Sequence, residues 1–339
     1  MTYRIAINGY GRIGRCVLRA FYESTDYPNL RIVAVNDLAD VDTLAHLTRY
    51  DSTHGRFLGN VSVQDDKLIV GGDSIAISKQ AQIDQLPWQA ESVDLVMECS
   101  GSFSDRATAE HHLQAGAGRV LFSQPAENDV DATVVYGINH EELASSHRII
   151  SNASCTTNCI VPVLSVLDDE LGVASGVITT IHSAMNDQPV IDSFHHADLR
   201  RTRSAMQSMI PVETALARGI ERILPQLNGK LQAQAIRVPT VNVSVMDLTI
   251  VANKSVSRED LNELFRRKAK ELPANVLGVT DEPLASCDFN HDPRSAVVDL
   301  TQTRVAPGNL YKLLIWFDNE WAYANRMLDV AQYLHNLSD

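Results

Sequence analysis

Gly9-Tyr10-Gly11-Arg12-Ile13-Gly14 follows directly on the run Arg4-Ile5-Ala6-Ile7-Asn8 and opens a segment in which Ile13, Val17, Leu18 and Phe21 share one helical face. A short apolar run bounded by glycine is the pattern of a buried parallel strand. In a strand–turn–helix unit the first glycine permits the tight turn, the second lets backbone approach a pyrophosphate, and the third lets helix pack on strand. The phosphate then rests on the helix N-terminus. A second strand, Leu30 to Val35, ends in Asn36-Asp37. The Asp37 carboxylate falls where ribose hydroxyls are held and repels a 2′-phosphate. These spacings predict an NAD rather than NADP site, with Gly9, Gly11, Arg12, Ile13, Gly14 and Asp37 as its contacts. The competing reading is a structural Gly-rich turn beside a surface aspartate.

The first half continues in the same alternating manner. Val61 to Ile77 reads as a small antiparallel meander with turns at Gln64-Asp65-Asp66-Lys67 and Gly71-Gly72-Asp73. Val93 to Glu98, Arg119 to Ser123 and Thr133 to Tyr136 read as further strands, and Arg148-Ile149-Ile150 as the last. Strands alternating with helical stretches define an α/β fold with a doubly wound parallel sheet.

That last strand leads into Ser151-Asn152-Ala153-Ser154-Cys155-Thr156-Thr157-Asn158-Cys159, with the apolar run Ile160 to Leu167 behind it. Ser151, Asn152 and Ser154 are good N-cap types, so Cys155 sits where a helix opens. The positive end of a helix lowers a cysteine's pKa, and thiolate is the nucleophile. A small buried cysteine beside a cap is the bland alternative. Cys155's place at the carboxyl end of a strand in a doubly wound sheet favours a catalytic thiol.

Beyond it the pattern changes. A helix from Asn158 to Glu170 carries Pro162, which is expected to kink it unless it lies within the first turn or so. Gly176 to Ile181 reads as a strand delivering His182 at its end. Ala233 to Val238, Val241 to Val251, Ala296 to Leu300 and Leu310 to Phe317 read as long strands, with helices around Glu213 to Ile223 and Arg258 to Leu272. Long strands with few helices between them suggest a mostly antiparallel sheet covered by helices, a second α+β domain. Arg200, Arg201 and Arg203 cluster in an acidic chain, and Arg237 closes a strand just before Pro239. Guanidinium forks at such places suit a phosphate or carboxylate, against the alternative of a solvated charged face.

Size and composition set the outer bounds. The chain has 339 residues, too many for one comfortable core, so two domains are expected, 1–154 and 155–318. A net charge of −13 argues against non-specific nucleic-acid binding. No apolar stretch is long enough to span a membrane. The direct run from Met1 into a strand gives no sign of a targeting peptide, and five cysteines, an odd count, fit a reducing cytoplasm. Cys155 and Cys159 stand four apart without companion ligands, so no metal site is expected.

These landmarks resemble the glyceraldehyde-3-phosphate dehydrogenase superfamily over essentially the whole chain. The resemblance rests on Ile7 to Arg15, on Tyr50-Asp51-Ser52-Thr53-His54-Gly55-Arg56-Phe57, on Ser151 to Cys159, and on Asp318-Asn319-Glu320-Trp321 with Asn325-Arg326. It implies a Rossmann domain, 1–154, closed by a C-terminal helix, 319–339, an α+β catalytic domain, and a homotetramer. It also implies that Cys155 is the nucleophile, His182 its activating partner, and Asn319 the holder of the nicotinamide carboxamide. Ser154, Thr156, Arg201, Thr214, Ala215 and Arg237 then line the anion and substrate pocket.

The departures from the family pattern are informative. Where relatives usually read His-x-x-Thr-x-Thr-Gln, this chain reads His182-Ser183-Ala184-Met185-Asn186-Asp187-Gln188. Met185 removes a hydroxyl donor and Asp187 substitutes a negative charge that repels a phosphate placed identically. The usual Thr-Gly pair is Thr214-Ala215, and Ala322 replaces the glycine after Trp321. The His-Ser-Ala-Met-x-Asp-Gln run is similar to the erythrose-4-phosphate dehydrogenase branch. That likeness implies oxidation of D-erythrose 4-phosphate to 4-phosphoerythronate in pyridoxal 5′-phosphate synthesis, with water releasing the acid. The alternatives are a phosphorylating triose-phosphate dehydrogenase of glycolysis, and a non-enzymatic NAD-dependent sensor that reuses the fold.

Overall fold

The computed structural model describes residues 2–195 and 198–337; Met1, His196, Ala197, Ser338 and Asp339, including the outer ends of the expected 1–154 and 319–339 segments, lie outside the described residues. The chain forms two compact units, one running to Ser154 and resuming at Tyr323, the other running from Cys155 to Ala322.

The first unit opens with β1 (Tyr3–Asn8), α1 (Arg12–Glu23), β2 (Leu30–Asn36) and α2 (Val41–Arg49), followed by a two-strand hairpin, β3 (Tyr50–Asp51) and β4 (Gly55–Arg56). The meander β5 (Val61–Gln64), β6 (Lys67–Val70) and β7 (Asp73–Ser78) comes next, then β8 (Leu95–Glu98), α3 (Arg106–Gln114), β9 (Arg119–Phe122), β10 (Ala132–Thr133) and β11 (Ile149–Ser151). Nine strands form one sheet in the order β10-β11-β9-β8-β1-β2-β7-β6-β5. Pairing is parallel from β10 to β7 and antiparallel only at the meander edge. Connections leave β1 toward β2 on one side and β8 on the other, so the order reverses at the β1–β8 boundary. In doubly wound sheets that boundary opens the ligand crevice.

Two helices escaped the periodicity analysis, yet both carry caps. Asp40 accepts from the Thr43 amide to start α2, and Asp105 from the Thr108 amide to start α3. The strand expected over 133–136 is cut to Ala132–Thr133, because the Val135 amide is spent on the Asn139 side chain, 2.8 Å away.

The second unit begins with α4 (Cys155–Leu171) and β12 (Val173–His182), then β13 (Ile210–Val212), α5 (Leu216–Ile223), β14 (Leu231–Arg237) and β15 (Ser244–Ala252). It continues through α6 (Arg258–Glu271), β16 (Leu277–Thr280), β17 (Ala296–Asp299), β18 (Arg304–Ala306), β19 (Leu310–Phe317) and the first residues of α7 (Trp321–Asn336). The sheet order is β13-β14-β12-β15-β19-β17-β16, with β18 on β19. Pairing is antiparallel except for β12 with β14 and β16 with β17. The helix expected from Asn158 starts three residues earlier, at Cys155, and runs through Pro162 without a break. It lies against β12, β15, β17 and β19, which explains why almost every residue from Thr157 to Leu167 is buried. The strand expected from Val241 starts at Ser244, since Val243 has φ 64°, outside the extended region. From Tyr323 onward α7 belongs to the first unit, where the Tyr27 hydroxyl donates to Asp329 (2.9 Å) and the Tyr323 hydroxyl to the Ala153 carbonyl (2.9 Å).

Candidate active site

Strand alternation and a helix start bring the two central side chains of the second unit together. Along β12 the side chains of Ile178, Thr180 and His182 face inward, on the face that α4 covers. Cys155 is the first residue of α4, immediately after a turn in which Ala153 has φ 53°. Its Sγ lies 3.9 Å from His182 Nε2. His182 Nδ1 lies 2.8 Å from the Ser183 carbonyl. A carbonyl only accepts, so Nδ1 carries the hydrogen and Nε2 presents its lone pair to sulfur.

The electrostatics correct the expected low-pKa thiolate. Burial pushes the Cys155 thiol up to about 12, against the opposing amides of Thr156 and Cys155; the carboxylates of Glu320 and Asp318 push it further up. Burial also holds the His182 imidazole below its usual 6.5, with the Arg237 charge acting in the same direction. The helix N-terminus acts with the expected sign, but desolvation of a single negative charge outweighs it. With both shifts in these directions the thiol and the imidazole are neutral together, and Nε2, 3.9 Å from sulfur, offers its lone pair to the thiol.

Beyond the imidazole, the Asn319 carbonyl oxygen accepts from two buried hydroxyls, Ser244 at 2.8 Å and Ser183 at 3.1 Å, and the Ser183 amide donates to Ser244 Oγ (3.1 Å).

The anion-binding candidates divide. Arg237 is the β14 register partner of His182 and is buried. Its guanidinium donates to Asp187 Oδ1 at 2.7 Å, while Arg201 donates to Asp187 Oδ2 at 3.1 Å. One carboxylate therefore bridges the two arginines expected to grip substrate or phosphate. Thr156 lies in the first turn of α4, and Thr214 Oγ1 accepts the Leu216 amide just before α5, which delays that helix from the expected Glu213. Ala215 occupies the N-cap position of α5 without a side chain to cap it. Ser154 closes the first stretch of the first unit.

In that first unit, the glycine loop has the form a pyrophosphate cradle needs. Gly9 has φ 89°, and a Cβ there would stand 2.5 Å from Ser100 Cα. A Cβ at Gly14 would run into the Gly9 carbonyl oxygen, whereas at Gly11 nothing lies within 4 Å. The loop is tightly packed at Gly9 and Gly14 and leaves open space at Gly11. Arg12 and Ile13 fill the first turn of α1, and Arg12 pairs with Asp51 of the hairpin. Although burial opposes it, the His54 amide and the Arg12 guanidinium hold the Asp51 carboxyl well below the usual range. Asp37 accepts the amides of Tyr10 (2.8 Å) and Ala39 (3.0 Å), which ties the end of β2 to the loop.

Sequence reasoning missed the polar chain beneath this crevice. Glu98, 1% exposed at the end of β8, accepts from Asn8 (2.6 Å) and the Ser100 amide (2.8 Å), and lies 2.9 Å from His112 Nε2. The Trp88 indole N–H donates to His112 Nδ1 at 3.0 Å, so Nε2 carries the hydrogen that meets Glu98. A glutamate ending an otherwise apolar strand was the available signal.

A doubly wound sheet with an open glycine cradle, joined to a unit carrying a paired thiol and imidazole, defines the class of NAD-binding dehydrogenases. Residues 3–106 match the family model described as glyceraldehyde 3-phosphate dehydrogenase, NAD binding domain, and residues 154–319 match its C-terminal domain. The chain belongs to the glyceraldehyde-3-phosphate dehydrogenase superfamily, and NAD is its cofactor. No helix among the described residues is long and apolar enough to cross a membrane.

Proposed function

We propose that this NAD-dependent dehydrogenase oxidises D-erythrose 4-phosphate to 4-phospho-D-erythronate, releasing the acid to water, in a cytoplasmic route to pyridoxal 5′-phosphate. The observation that carries this reading is the Asp187 carboxylate held between Arg201 and Arg237. A triose phosphate placed on those guanidinium groups meets a negative charge. A substrate one carbon longer brings its phosphate elsewhere while its aldehyde still reaches sulfur.

In the proposed mechanism the Cys155 sulfur attacks the aldehyde carbon while its proton passes to His182 Nε2. The backbone amide of Cys155 and the new Nε2–H stabilise the oxyanion, which takes up the proton to give a hemithioacetal. Losing one such donor typically costs about a hundred- to thousandfold in rate. Bound NAD⁺ supplies a hydride acceptor. As the hydride leaves carbon, His182 removes the hydroxyl proton and a thioester forms on Cys155. His182 passes that proton to solvent; water then attacks the thioester with the neutral His182 as base, the C–S bond breaks, and the departing sulfur takes the proton back from His182 to restore the thiol. Gly9, Gly11, Arg12, Ile13 and Gly14 would hold the pyrophosphate end, Asp37 the ribose, and Asn319 the nicotinamide carboxamide. Ser154, Thr156, Thr214 and Ala215 would line the acyl-acceptor side.

Retained hydroxyls at Thr156 and Thr214 favour a second reading, a phosphorylating glyceraldehyde-3-phosphate dehydrogenase. Oxidation of both aldehydes, each with and without inorganic phosphate, separates the two. The proposal expects turnover of erythrose 4-phosphate in phosphate-free buffer; absolute dependence on phosphate overturns it. A homotetramer is part of the same reading. Val190, Ile191, Phe194, Leu199 and Met209 stand exposed along one segment, Phe194 at 86%, and a partner subunit would cover them.

A further inference from the structure

We infer that Ser183 and Ser244 are positioning residues that set which end of the Asn319 amide meets the cofactor. The inference rests on the reading above in which Asn319 meets the nicotinamide carboxamide. Ser244 Oγ already accepts the Ser183 amide at 3.1 Å, so its own hydrogen needs an acceptor. Asn319 Oδ1 supplies it at 2.8 Å and takes a second hydrogen from Ser183 Oγ at 3.1 Å. With Oδ1 saturated by two hydroxyls, only the Nδ2 hydrogens of Asn319 are offered outward. The amide is thus a fixed donor, suited to the carboxamide oxygen of nicotinamide rather than to its NH₂.

Ser183 also accepts from His182 Nδ1 through its backbone carbonyl. One residue therefore uses its amide, its carbonyl and its hydroxyl to hold both the imidazole tautomer and the amide handle. Both serines and Asn319 are buried, at 0%, 1% and 9% exposure, so the hydroxyl hydrogens are not lost to water. An amide free to rotate would offer the cofactor an acceptor as often as a donor. A single neutral hydrogen bond corresponds to roughly fivefold in affinity.

The test is a double-mutant cycle read by calorimetric titration of the full chain with NAD⁺ alone, no aldehyde present. Ser244→Ala and Ser183→Ala should each weaken NAD⁺ binding about fivefold in the wild-type background. In the Asn319→Ala background the same changes should cost less than about twofold, because the group they orient is gone. Ser244→Thr, which keeps the hydroxyl, should restore binding. Equal losses in both backgrounds would mark a merely structural role and overturn the inference, as would NAD⁺ affinity unaffected by Asn319→Ala. If one serine variant fails to fold, the other closes the cycle. A cycle that holds while erythrose 4-phosphate is not oxidised removes only the substrate reading.

Discussion

Arg237 Nη1 and Asp187 Oδ1 lie 2.7 Å apart, and the other oxygen of that carboxylate lies 3.1 Å from Arg201. An aspartate of the chain thus occupies the guanidinium pair expected from the sequence to bind an anion. Replacing Asp187 and Met185 together by threonine should return both arginines to a ligand and supply hydroxyl donors. We expect kcat/KM for glyceraldehyde 3-phosphate to rise relative to erythrose 4-phosphate by about tenfold, the worth of one charge-assisted contact. An unchanged ratio would discredit Asp187 as the specificity determinant.

Asp37 braces the glycine loop through the Tyr10 amide and is the carboxylate proposed to meet the cofactor ribose. Asp37→Ala should raise KM for NAD⁺ by about tenfold and narrow the preference over NADP⁺, since the charge that repels a 2′-phosphate disappears. Steady-state kinetics with both cofactors checks this. A preference that persists at its original value would mean that another group excludes NADP⁺.

Glu98 is buried among donors only: Asn8, His112 and the Ser100 amide. Glu98→Gln would turn one acceptor oxygen into an NH₂ facing those donors. Breaking a buried charged contact from one side costs about 3 kcal/mol or more, so a clear drop in the urea midpoint is expected. Glu170→Gln, at a half-exposed surface ion pair with Lys268, serves as the control and should move it far less. Equal shifts for the two variants would show that the Glu98 chain adds nothing.

Much of this architecture was legible in the chain. The glycine spacing with its strand and helix located the cradle, short apolar runs located the parallel strands of the first sheet, and longer β-rich runs located those of the second. Misplaced boundaries trace to backbone and side-chain details that periodicity does not encode. Val243 adopts a positive φ, Val135 gives its amide to Asn139, and Thr214 delays α5. Within the site, Cys155 and His182 were readable as a strand-end thiol and a strand-end imidazole. The sign of the thiol's shift was not, because desolvation depends on packing around sulfur rather than on the helix start. Nor were the partners of Asp187: sequence gave its charge, and only the folded chain brings Arg201 and Arg237 to it.

The central claim is that Cys155 becomes a nucleophile only by sharing its proton with His182, and alkylation of Cys155 by iodoacetamide as a function of pH tests it most directly. Exchange of the proton within the pair leaves its total unchanged, so reactivity should be flat across neutral pH. It should fall as pH drops below 6.5, where the buried imidazole, its pKa held low by burial and then by Arg237, takes a second proton. It should rise again only toward pH 12, where burial has moved the thiol's own ionisation. His182→Asn should abolish the flat region and leave only the alkaline rise. A flat region of the same height in His182→Asn would contradict the account.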